Sequence, residues 1–140
     1  MAQTVRILSL TTGFFLLVFS GLSQPGRRYH TENKRAIKAY EKAMEWSVAA
    51  MGPGADRLAL QLEVEGQIAK ALEMDPNFAE AERVWGAMLM EKGEFKEAKA
   101  VYAKVLNAHG EVWIRDHFAW AEAARWSLDP ATMQQAMESM

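Results

Sequence analysis

From residue 33 onward, apolar residues recur at the three- and four-residue steps of a helix. Ala36, Ile37, Tyr40, Ala43, Met44 and Ser47 form one stripe, predicting a first helix over about 33–50. Gly52-Pro53-Gly54 ends it, because glycine frees the backbone and proline cannot continue a helix. Asp56 is placed to cap a second helix that runs to about residue 74 through Leu58, Leu60, Leu62, Ile68, Ala71 and Leu72. Asp75 precedes a proline and is therefore pushed out of helical geometry. Asn77 followed by Glu80 resembles a capping box and predicts a third helix, reaching about residue 91. Gly93 makes the next turn. A fourth helix is expected over about 95–107, with Ala98, Val101, Tyr102, Val105 and Leu106 on one face. His109-Gly110 turns again before a fifth, over about 112–126, and Asp129-Pro130 opens a sixth over about 131–140. No segment carries the alternation of a strand. The pattern is all-α.

The helices repeat in pairs. Trp85-Gly86 and Trp120-Ala121 lie 35 residues apart, and Ala71-Leu72 and Val105-Leu106 lie 34 apart. A period near 34 in helix pairs predicts stacked hairpins, none of which buries its apolar face alone. The unit starting at Ala79 reads AEAERVWGAMLMEKGEFKEAKAVYAKVLNAHGEV. In it Trp85-Gly86, Leu89, Gly93, Ala98, Tyr102 and Val105-Leu106 fall where the tetratricopeptide (TPR) repeat places its large-small pair, turn glycine, small residue, aromatic and Ala-Leu pair. The chain thus resembles the TPR family over residues 33–140, most specifically over 71–108, where Pro76 stands at the position of the family's junction proline. That resemblance implies a solenoid of about three antiparallel helix hairpins. The outer units depart from it through the Gly-Pro loop of the first and the Ser127-Leu128-Asp129-Pro130 turn of the last. The segments AIKAYEKAMEW and ALEMDPNFAEAE also resemble the N-terminal repeat region of Bacteroidetes envelope proteins. There such repeats often precede a propeller and a peptidoglycan-binding domain. The chain carries neither, as a stand-alone short relative or a truncated piece would.

The N-terminus adds a destination. Arg6 precedes an apolar run from Ile7 to Leu22, and Gly21 and Ser23 stand three and one residues before Gln24. This is the layout of a cleavable signal peptide over 1–23. A retained anchor is the competing reading, but the run falls short of the roughly 20 residues of a full span. Residues 24–32, QPGRRYHTE, read as a flexible lead-in. The expected location is therefore the periplasm or outer envelope, with no stable membrane span after cleavage. The chain has no cysteine, which excludes disulfides, thiolate chemistry and a lipoprotein anchor. A formal net charge of −2 and a pI near 5.9 argue against nucleic acid, which asks for a basic face.

Candidate chemistry is sparse. His30, His109 and His117 form no HExxH or i, i+4 pair, and zinc wants three or four convergent ligands. No serine sits in a nucleophile elbow, and no glycine run cradles a phosphate. Neither catalysis nor a metal or cofactor is expected. Trp85, Trp120 and Tyr102 read as inter-hairpin core, with Gly86, Ala98 and Ala121 permitting close helix approach. The TPR resemblance implies a concave groove lined by the first helix of each hairpin. Carried onto this chain, its positions are Glu80, Arg83, Ala87 and Met90, then Arg115, Phe118, Glu122 and Arg125. Arginines beside Met90 and Phe118 would clamp an acidic peptide or carboxylate of a protein partner. The bland alternative pairs Arg83 with Glu80 and Arg125 with Glu122 as solvated surface ions. A second alternative is a structural element that self-associates, because Met133, Met137 and Met140 leave the terminal helix without a polar outer face.

Overall fold

A computed structural model of the chain describes residues 29–107 and 112–128. The expected signal peptide, the first part of the lead-in and the sixth helix lie outside these residues. Within them the chain is helical, with five helices and no strand: α1 (Lys34–Ala49), α2 (Arg57–Met74), α3 (Ala79–Lys92), α4 (Phe95–Asn107) and α5 (Ile114–Trp126). Each lies within two residues of its predicted bounds.

Local chemistry sets the ends. The Asn33 side chain accepts from the N–H groups of Arg35 and Ala36, and Asp56 accepts from that of Ala59. The expected capping box on α3 does not form. Its N-cap is Phe78, without a side-chain cap bond. Asp75 instead accepts from the Asn77 N–H in the preceding turn, and Glu80 is turned toward His30. Gly93 closes α3 in the left-handed region at φ 77°, where a side chain would be strained. The Glu94 N–H then reaches back to the Leu89 carbonyl at 2.9 Å.

Consecutive helices pack on each other and double back. The Asn33 amide at the start of α1 donates to the Met74 carbonyl at the end of α2. On α3 and α4, Glu82 meets Lys104, Gly86 meets the Tyr102 ring, and Leu89 and Met90 share a cluster with Ala98. Rising numbers on one helix meet falling numbers on the other, so the two run in opposite directions. Packing there is close. A Cβ on Gly86 would stand 2.8 Å from the Tyr102 ring.

Two apolar clusters make the core. One joins α1, α2 and α3 through Ala36, Tyr40, Met44, Ile68, Phe78 and Met88. Tyr29, Tyr40 and Phe78 meet within it edge-on or tilted, at 5.1–5.9 Å between centroids. The other joins α3, α4 and α5 through Leu89, Met90, Ala98, Tyr102 and Ala123. Trp85 packs against both. The stripe expected on α2 is only partly inside: Val64, Ile68 and Ala71 are buried, but Leu58 and Leu62 are 71% and 63% exposed. Trp120, expected in the core, is also exposed.

The end of the lead-in is anchored. Tyr29 packs on the first cluster, the His30 N–H and Nδ1 contact Glu80, and the Thr31 hydroxyl donates to Asp75.

Candidate functional site

The eight groove positions do not share one surface. Glu80, Arg83, Ala87 and Met90 are all buried, contrary to the open floor expected of them. The cause is how the neighbouring elements sit against α3. Arg83 Nε and Nη2 donate to the two carboxylate oxygens of Asp116, each at 2.9 Å, in a bidentate pair with both residues almost fully enclosed. The guanidinium lies over the Trp113 ring at 4.1 Å. Asp116 also accepts from the Trp113 N–H at the start of α5. One carboxylate thus caps α5 and ties it to α3. Arg83 does not pair with Glu80, which takes His30 at 2.7 Å instead.

Arg115, Phe118, Glu122 and Arg125 remain on the surface of α5. Phe118 is 69% exposed and Ile114, one turn earlier, 76%. Arg115 follows Ile114 and lies three residues before Phe118, so an apolar pair carries a cation at its edge. Arg125 lies over the Trp126 ring at 4.8 Å, and Trp126 in turn meets Phe95 of α4 at 6.0 Å. Half of the expected site is therefore an exposed helix face, and the other half is the joint that holds that helix in place.

Sequence reasoning passed over three groups. Asp116 is one, and the signal that could have found it is its spacing, 33 residues after Arg83 and close to the repeat period. Ile114 was not assigned to the surface. Glu82 is 3% exposed and bound by Lys104. Burial raises the pKa of its carboxyl, and the lysine only partly offsets that. Desolvation likewise pushes Glu91, near the end of α3, up to about 7.

Among the described residues no cluster of His, Cys, Asp or Glu is grouped to hold a metal ion, and no helix is long and apolar enough to cross a membrane. The chain matches no family model, no curated protein and no solved structure.

Proposed function

We propose that this protein is an exported TPR-like helical scaffold, without catalytic activity, that binds a partner protein in a cell-envelope complex. The observation that carries the reading is the α5 face, where Ile114 and Phe118 stand exposed beside Arg115 on a helix locked by a buried ion pair. Large exposed apolar side chains on a fixed element are a usual mark of a contact surface. The TPR-like arrangement is supported by the spacing of one contact: Arg83 of α3 meets Asp116 of α5, 33 residues on and close to the repeat period. Export is supported by the N-terminal pattern of Arg6, the apolar run and Gly21-Leu22-Ser23.

The test is a crosslinked capture from envelope extract with the full chain as bait and a Phe118→Glu/Arg115→Glu variant beside it. Both positions are exposed, so the fold should survive. A partner retained by the wild type and lost by the helical variant is expected. Identical partners on both baits would remove the α5 face from the proposal.

A second reading is self-association end to end. It is favoured by Leu58 and Leu62 on α2, a second exposed apolar pair one turn apart, like Ile114 and Phe118 on α5. Light scattering across a concentration series separates the two, because a strict monomer rules out stacking.

A further inference from the structure

A cleft of about 370 Å³ lies between α2, α3 and α4, away from the α5 face. Leu72, Trp85, Ala100 and Val101 form its walls, and Glu82 and Lys104 its polar end. The volume is at the small end of ligand pockets, enough for a side chain or two and too small for a folded domain. Its walls ask for an apolar group. Its polar end is less ordinary.

Glu82 is 3% exposed, yet only one of its oxygens is satisfied among the described residues. Oε1 takes Lys104 Nζ, which also donates to the Pro76 carbonyl, and Oε2 has no hydrogen-bond partner. A buried carboxylate oxygen without a donor is costly, and native structures rarely leave one so. Among the described residues, Lys104, Asp75 and Arg83 act on the charge of Glu82. Arg83 is matched by Asp116 in its bidentate pair. That leaves two carboxylates against one lysine, a local excess of negative charge beside an apolar wall. The Lys104 side chain is 48% exposed, so its ammonium can move aside at little cost in packing.

We propose that this cleft binds a peptide segment in which an aliphatic side chain lies next to an arginine, the first against Trp85, Leu72 and Val101 and the second donating to Glu82. With the Lys104 ammonium swung aside, the guanidinium takes its place on the Glu82 carboxylate and offsets the excess acid. An acidic neighbour would meet the Glu82 carboxylate instead and be rejected. The site is separate from the α5 face, and its success or failure leaves that reading untouched.

The probe is acetyl-Leu-Arg-amide, titrated into the full ¹⁵N-labelled chain and followed by NMR. The Trp85 indole and the amides of Ala100 and Val101 should shift together, with acetyl-Leu-Glu-amide binding about tenfold more weakly, as expected for loss of one charge-assisted contact. In Glu82→Gln the two peptides should differ by less than about twofold. Ala100→Arg, on the exposed rim of the cleft, should abolish the shifts while leaving the rest of the spectrum in place. Shifts elsewhere, none at millimolar peptide, or a preference for arginine that survives Glu82→Gln would each overturn the proposal.

Discussion

Gly86 shows how much one missing methyl group decides. The Tyr102 ring occupies the space a Cβ would need, and that ring is buried and has nowhere to go. Alanine is the better helix former, by about 1 kcal/mol, but overpacking a core costs roughly 1–3 kcal/mol. Gly86→Ala should therefore lower stability by about 1–2 kcal/mol in urea unfolding, and Tyr102→Leu in the same chain should recover part of the loss. Glu91 makes a separate residue-level prediction. Its folded pKa of about 7 lies above the ordinary carboxylate value of 4.5. The folded state thus holds its proton more tightly, so stability falls as the pH rises from about 4.5 and the full loss is reached above about 7. Glu91→Gln should be the more stable protein at pH 8, and its advantage should shrink as the pH falls and be gone below about 4.5. Urea midpoints at pH 8 and pH 4 check the sign.

At the scale of elements, α3 and α5 share a buried ion pair beside the apolar cluster they both enter, where the other helix contacts are mainly apolar. Arg83→Met leaves Asp116 buried without its cation, which costs about 3–5 kcal/mol. The loss should localise. Hydrogen exchange should rise along α5 before it rises along α1 and α2, whose cluster shares no residue with the ion pair. Replacing both partners, as Arg83→Met/Asp116→Leu, should restore most of the stability, because a buried pair exchanged for apolar packing is often close to neutral. The repair is incomplete because the carboxylate also caps the Trp113 N–H. A double variant no better than Arg83→Met would show that the cap, not the pair, fastens α5.

Across the whole molecule, the two clusters communicate through Trp85. Removing that side chain should cost about 3 kcal/mol, a large share of the stability of a domain this size. It should also uncouple the halves. Trp85→Ala is expected to unfold in two resolvable steps where the wild type unfolds in one, and coincident circular-dichroism and near-ultraviolet transitions in the variant would contradict that.

The sequence by itself determined the helices. Caps, turn glycines and the residue before Pro76 are local devices, set by atoms a few positions apart, so the helix bounds were legible to within two residues. It also pointed to Gly86 and Ala98 as places where helices approach closely, but Ala121, the small residue at repeat spacing from Gly86, is exposed. What it could not determine was which face of each helix finds a neighbour. Leu58, Leu62 and Trp120 are as apolar as any core residue, but nothing among the described residues covers them. Arg83 and Glu82 are as charged as any surface residue, but α4 and α5 close over them. Burial is a property of the pair of surfaces that meet, fixed by the register of one helix on the next. Only the tertiary structure held that register, and with it the division of the expected groove into a locked joint on α3 and an exposed face on α5.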